Sequence, residues 1–100
     1  MKYRINHSKV ISQANSIAND ATKLSAQIKM LEQIERDCRA AWKGEAADAF
    51  VAKLSTLRNE MNVTKNQMST LASTIKTCAD RIRRADQEAE ERAAVLNNKL

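Results

Sequence analysis

Three side chains in this sequence are of the types that perform nucleophilic or metal chemistry, namely His7, Cys38 and Cys78. A general base or a metal site needs several such groups held together, and His7 has no cysteine or carboxylate near it in the sequence. Both cysteines fall on apolar helical stripes, where a thiol packs as a small hydrophobe. The sequence therefore predicts no catalytic residue, no metal site and no cofactor, and we expect a protein that is not an enzyme.

One glycine determines where the two predicted helices, which would position any site, end and begin. The 100 residues contain no proline and a single glycine, Gly44, near the middle of the chain. Glycine takes a positive φ without steric cost, so Gly44 is the natural place for a long helix to stop and reverse. We predict one domain over residues 1–100, with an extended lead over 1–5, a first helix over about 6–42, a turn at 42–45 and a second helix over about 45–96. Asn6 is the preferred N-cap of the first helix, and Ser8 is the alternative.

Apolar residues recur at alternating steps of four and three on both sides of the turn. This heptad spacing predicts left-handed, coiled-coil-like packing of two antiparallel helices in an all-α hairpin. In the first helix the predicted core is Val10, Ala14, Ile17, Ala21, Leu24, Ile28 and Leu31, followed after a small stutter by Ile34, Cys38 and Ala41. In the second helix it is Phe50, Leu54, Leu57, Met61, Thr64, Met68, Leu71, Ile75, Cys78, Ile82, Ala85 and Ala89.

Folding the chain about residue 43 makes the second helix outrun the first. Residues 80–100 then form a charged tail with no partner inside the hairpin, so this tail is either frayed or bound by something else. The same register places Cys38 and Cys78 roughly 45 Å apart, which excludes an intrachain disulfide. An interchain bridge is the alternative. A hairpin of this size buries little surface, so we expect self-association or a partner.

The overall charge is basic, with a formal net charge of +5. Acidic and polar residues interrupt the basic ones, as on a solvated helix face, so nucleic-acid binding is not expected. No segment has the apolar length of a membrane span, and the first residues lack the apolar core of a conventional signal peptide. These properties alone also fit a cytoplasmic, basic coiled-coil scaffold.

Trp42 has two interpretations, because it is the only tryptophan and lies beside the predicted turn. Its ring either closes the end of the hairpin against Phe50 or sits partly exposed and anchors a partner, as tryptophans at interfaces do. In a dimer both roles would be compatible.

Together these features resemble the WXG family, the ESAT-like secreted proteins of type VII secretion systems. The resemblance rests on the length, the two helices, Trp42-Lys43-Gly44 at the midpoint, Phe50 six residues after Gly44, and the charged C-terminal helix. It implies a hairpin that pairs antiparallel with a second hairpin in a four-helix bundle, as a homodimer or with a related protein. It also implies synthesis in the cytoplasm, secretion without a cleavable signal peptide, and membrane contact only through the secretion machine.

The resemblance further implies that a secretion ATPase reads a signal in the C-terminal tail. The usual signal is Tyr-x-x-x-Asp or Tyr-x-x-x-Glu, and the corresponding residues here are Ile82 and Asp86, with isoleucine in the place of the tyrosine. This departure leaves two hypotheses. The chain is exported as a homodimer with a degenerate signal, or it is a targeting chaperone that pairs with the N-terminal helical domain of a larger type VII toxin and completes a composite signal.

Overall fold

A computed structural model describes residues 5–99 and shows two antiparallel helices, α1 (His7–Ala41) and α2 (Glu45–Lys99). They form a rod of 85 × 16 × 13 Å. The predicted all-α helical hairpin is confirmed. The predicted extended lead lies outside the described residues except for Ile5, as does the last residue of the predicted tail.

The first helix begins where the sequence predicted. The backbone N–H of Lys9 donates to the side-chain oxygen of Asn6 at 3.1 Å, so Asn6 is the N-cap. This bond satisfies one of the amides that have no partner in the first turn of a helix. At the other end, the Trp42 backbone N–H donates to the Cys38 carbonyl at 2.9 Å, and the chain leaves the helix in an extended conformation.

The reversal between the helices depends on Gly44, whose φ is +119°. Residues with a side chain rarely adopt this value, and no other residue among 5–99 has a positive φ. The second helix restarts at once, and its first turn carries Glu45 and Asp48, which suit the positive end of the helix dipole.

The contact between the helices is made mainly by alanines. Ala14 and Ala21 of α1 and Ala72 and Ala79 of α2 are each at most 4% exposed. Small side chains let the two helix axes approach closely. The alanine side of each helix therefore faces the other helix. The full set of buried apolar residues is Ala14, Ala21, Ile28, Ala47, Val51, Ala72 and Ala79.

This packing corrects the predicted core of α2. Alternate members of the predicted stripe are half-buried, namely Leu54, Met61, Met68, Ile75, Ile82 and Ala89. The remaining members are exposed, namely Phe50, Leu57, Thr64, Leu71, Cys78 and Ala85. The residues that follow those exposed positions, such as Ala72 and Ala79, face α1 instead, because α2 is rotated to bring its alanines into the contact.

The predicted core of α1 needs a smaller correction. Ala14, Ala21 and Ile28 are buried, but the predicted stutter to Ile34 is wrong, since that side chain is 43% exposed. The prediction that Ala41 lies in the core is also wrong, because it is exposed at the last residue of the helix. The seven-residue spacing of the buried positions continues instead to Glu35, which is 3% exposed. A charged residue therefore occupies the last of the buried positions on α1.

The C-terminal part of α2 is helical as far as Lys99, three residues beyond the predicted end. The tail is therefore not frayed in the structure. Ile82, Asp86 and Ala89 remain half-buried, whereas every residue from 90 to 99 is exposed. The tail projects past the beginning of α1, as the register predicted.

Candidate interaction site

The turn presents two aromatic rings to solvent. The ring centroids of Trp42 and Phe50 lie 5.8 Å apart with an interplanar angle of 54°. Such a tilted pair is a favourable aromatic contact. Trp42 is nevertheless 48% exposed and Phe50 44% exposed. The rings therefore contact each other at the end of the hairpin while leaving about half of their surface free.

Phe50 also begins a line of exposed residues along α2. Phe50, Leu57, Thr64, Leu71 and Cys78 recur every seven residues, so they lie one above the other on the same side of the helix. Leu57 and Leu71 are 46% and 51% exposed. On α1 a second line with the same spacing is half-buried, namely Val10, Ile17, Leu24, Leu31 and Cys38.

Both lines lie on the same side of the hairpin. Arg58 of α2 contacts Glu32 of α1 at 3.9 Å and Ser55 of its own helix at 3.4 Å, so Glu32 and Ser55 flank one side of the contact between the helices. Helical geometry at 100° per residue places Leu31 and Leu57 on the opposite flank. We call the two lines together the apolar face, and it contains no charged residue.

A polar cluster that sequence reasoning missed lies in the contact between the helices, on the side away from the apolar face. The Arg58 guanidinium donates to Glu35 Oε2 at 2.8 Å, and the Glu35 side chain is 5% exposed. The other carboxylate oxygen of Glu35 is buried without a hydrogen-bond partner. Glu35 follows Ile28 by seven residues, and this spacing was the signal that it faces α2.

His7 has a partner that only the fold provides. Its Nε2 lies 2.7 Å from Asp80 Oδ1, a residue 73 positions away in the sequence. No carboxylate lies near His7 in the sequence, but the fold places that of Asp80 beside it. This contact joins the beginning of α1 to α2 at the point where the tail starts.

The hydrogen bond from His7 lowers the pKa of Asp80 below its usual 3.8, and the positive charges of His7, Arg83 and Arg84 add to this effect. A lowered carboxyl pKa means that the ionised form is favoured in the folded protein. The resulting stabilisation is present above pH 3.8 and is lost as the pH falls through the lowered pKa.

The two residues of the candidate export signal lie on one side of α2. Ile82 and Asp86 are four residues apart, which places them one turn apart on the same face. Both are half-buried. Further along the tail, Val95 and Leu96 are 51% and 64% exposed beside Glu88, Glu91 and Arg92. The tail thus combines a half-buried pair with an exposed apolar end.

The described residues were searched for metal-binding clusters, reactive thiols and membrane-spanning helices. Residues 5–99 contain no cluster of three or more histidine, cysteine or acidic residues that would hold a metal ion. Cys38 and Cys78 are free thiols, and Cys78 is exposed, so the prediction that it lies in the hairpin core is wrong. No helix within that range is long and apolar enough to span a membrane.

The tryptophan and the glycine beside the turn, Trp42 and Gly44, also carry the comparison with known protein families. The family model described as "Proteins of 100 residues with WXG" matches residues 2–87. The chain belongs to the WXG100 family. Searches of curated proteins and of solved structures returned no match.

Membership places this WXG100 protein among small helical proteins associated with type VII secretion. Proteins of the family are non-enzymatic, and they generally form dimers with helical partners. Trp42 and Gly44 are the tryptophan and the glycine of the Trp-x-Gly motif for which the family is described.

Proposed function

We propose that this WXG100 protein is a type VII secretion substrate or export adaptor that acts through protein–protein contacts and a C-terminal helical signal. The observation that carries the proposal is the apolar face, which one hairpin leaves open along most of its length. Contiguous apolar surface of this kind marks an interaction site in a soluble protein. Covering it with a second hairpin would complete a four-helix bundle.

The proposed signal consists of Ile82 and Asp86. Their spacing presents an aliphatic side chain and a carboxylate on one face of α2, which a receptor groove with a basic residue would bind together. Ile82 and Asp86 lie next to the exposed end of the tail, where a receptor can approach α2, and this location supports the assignment. The proposed reader of the signal is the secretion ATPase.

Trp42 is the proposed anchor at the turn. In the hairpin alone it touches Phe50 and remains half-exposed, which leaves ring surface for a partner. We expect Trp42→Ala to weaken assembly by about 2 kcal/mol or more if Trp42 is an interface hot spot. Light scattering over a dilution series measures the dissociation constant. Lys43→Ala, at the neighbouring exposed position, is the control, and an unshifted constant for Trp42→Ala would assign the ring to closure of the turn alone.

A second candidate function is that of a targeting chaperone for a larger type VII toxin. The isoleucine at position 82, where the usual signal has a tyrosine, favours it. In that case the apolar face would pair with the toxin's N-terminal helical domain, and the two chains would supply one signal between them.

Secretion is the direct test of the proposed function. The protein is expressed in a host with a working type VII system and in the same host with an ATP-hydrolysis-deficient secretion ATPase. We expect the protein in the medium of the first host and only inside the cells of the second. Equal amounts in both media would contradict the proposal. Retention in both hosts, reversed by co-expressing a toxin N-terminal domain, would favour the chaperone function.

A further inference from the structure

The inner side of the tail is covered beyond the point where α1 begins. The first residue of α1, His7, contacts Asp80 at 2.7 Å, so α1 reaches about as far along α2 as this residue. Asp86 and Ala89 lie six and nine residues beyond Asp80 and are half-buried, whereas Ala93, on the same helix, is exposed. An alanine on the bare helix is therefore exposed, and the half-burial of Ala89 indicates that another segment lies against this side of the tail.

The lead, residues 1–5, is the segment that continues in this direction. Because the two helices are antiparallel, the chain that precedes His7 runs toward the end of the tail. The backbone of Asn6 is extended, with φ −84° and ψ 92°, so the chain enters α1 from an extended conformation. The lead is therefore positioned to run along α2 past the beginning of α1.

The rise of an extended chain brings particular residues of the lead beside the covered ones. An extended chain advances about 3.3 Å per residue, and a helix about 1.5 Å. Counted from the contact at the start of α1, three extended residues span roughly 10 Å and bring Arg4 to the height of Asp86, roughly 9 Å along α2. Four extended residues span roughly 13 Å and bring Tyr3 to the height of Ala89, whose small side chain leaves room for an aromatic ring.

The charges of the two segments are complementary. The lead carries Lys2 and Arg4 and no acidic residue. Residues 85–91 of the tail carry no basic residue and four acidic ones, namely Asp86, Glu88, Glu90 and Glu91. Asp86 and Glu90 are four residues apart on the side that includes Ala89, and the same count brings Lys2 within about one helical turn of Glu90. Charge as well as reach therefore favours the lead as the occupant of this side of the tail.

From these observations we infer that the lead binds the inner side of the tail, with Arg4 against Asp86 and Tyr3 over Ala89, and that it covers the carboxylate of the proposed export signal. Arg4 then occupies the position that a basic group of the receptor would take, so the receptor must displace the lead before it binds Asp86. Only this last step rests on the proposed function, because the contact itself does not depend on export.

Intramolecular cross-linking tests the contact. In a protein in which Cys38 and Cys78 are replaced by alanine, Tyr3→Cys is combined with Ala89→Cys. The matched control combines Tyr3→Cys with Gln87→Cys, because Gln87 is exposed at nearly the same height on the opposite side of α2. A disulfide needs Cα atoms within about 7 Å, which the proposed contact provides for the first pair alone. We expect mild oxidation of dilute protein to close the first pair at least about tenfold faster, as a single-chain product.

A charge swap tests the ion pair within this contact. Adding Arg4→Glu to the first cysteine pair places like charges together and should slow closure by about fivefold or more, and adding Asp86→Arg as well should restore the rate. Lys9→Glu, at an exposed basic position of α1, changes the net charge equally and should leave the rate unchanged. Equal rates for the two cysteine pairs, or links formed only between two chains, would overturn the contact. A swapped protein that stays slow would overturn the pairing of Arg4 with Asp86.

Covering of the signal predicts that removal of the Arg4 side chain favours export. We expect Arg4→Ala to raise the ratio of secreted to cellular protein by about two- to fivefold, the factor that a partly exposed ion pair provides. Lys9→Ala is the control and should be secreted like the wild-type protein. Equal or lower secretion of Arg4→Ala would overturn the covering role. A wild-type protein that is not secreted contradicts the proposed function instead, while the cross-linking rates still decide whether the lead binds the tail.

Discussion

Replacing Asp86 by alanine should abolish secretion of this WXG100 protein while leaving the helical hairpin folded. A carboxylate recognised by a basic receptor group makes a charge-assisted hydrogen bond, whose loss costs about 1.5–3 kcal/mol. Recognition by the ATPase would then fall by about tenfold to a hundredfold. The measurement is the ratio of secreted to cellular protein by immunoblot, with circular dichroism of the purified variant to show that helix content is retained.

Glu88→Ala is the matched control for this prediction. Glu88 is an exposed acidic residue only two positions further along α2, so its removal changes the net charge by the same amount. Asp86→Asn keeps the size and polarity of the side chain and removes only the charge. We expect the asparagine variant to be retained in cells and Glu88→Ala to be secreted normally. Normal secretion of both Asp86 variants would remove this residue from the signal.

The elements of the fold were predictable because each depends on local chemistry. Asn6 caps α1 through its own side chain, and Gly44 reverses the chain through its own φ. The heptad spacing determined that the elements are helices and that they pack side by side. None of these properties requires knowledge of what lies across the hairpin.

The rotation of α2 about its own axis was not predictable, because its apolar stripe is wide enough to contact both α1 and a second chain. The period assigns Phe50, Leu54 and Leu57 to one broad face but does not say which edge of that face meets α1. The alanines at 72 and 79 decide this, since they permit the closest approach. The larger residues at 50, 57 and 71 are therefore left outside the hairpin, where a second chain would cover them.

The polar contacts between the helices could not be predicted from the sequence either. His7 and Asp80 are separated by 73 positions, and Glu35 and Arg58 by 23. Only the register brings each pair together. A buried glutamate is uncommon, so the apolar pattern favoured Ile34 for the core position that Glu35 occupies.

Removing the guanidinium of Arg58 should destabilise the hairpin more than any other single change to a polar side chain in the contact between the helices. Arg58 supplies the one hydrogen bond described for the Glu35 carboxylate, and the other oxygen of that carboxylate is already buried without a partner. Breaking a buried ion pair leaves an uncompensated charge and costs 3–5 kcal/mol; because Arg58 is 27% exposed, we expect the lower end, about 3 kcal/mol. The weaker contact with Glu32, at 3.9 Å on an exposed side chain, adds little.

The variant is Arg58→Met, which keeps most of the aliphatic stem and removes the charge. At 4–8 °C per kcal/mol for a domain of up to about 100 residues, we expect the melting temperature to fall by roughly 12–24 °C. Thermal unfolding is followed by circular dichroism at one fixed protein concentration, because association makes the melting temperature depend on concentration. Arg81→Met, an exposed arginine on the same helix, is the control and should melt close to the wild-type protein.

A double variant isolates the cause of the loss. Replacing Glu35 by leucine together with Arg58 by methionine removes the buried charge and its partner at once, so stability should return to the wild-type value or exceed it. The double variant also tests whether the Glu35–Arg58 pair fixes the register of the two helices in addition to stabilising them. A single charged layer in an apolar contact disfavours shifted registers, in which a charge would face an aliphatic side chain. If Arg58→Met melts at the wild-type temperature, Glu35 is solvated in solution and the pair does not fix the register.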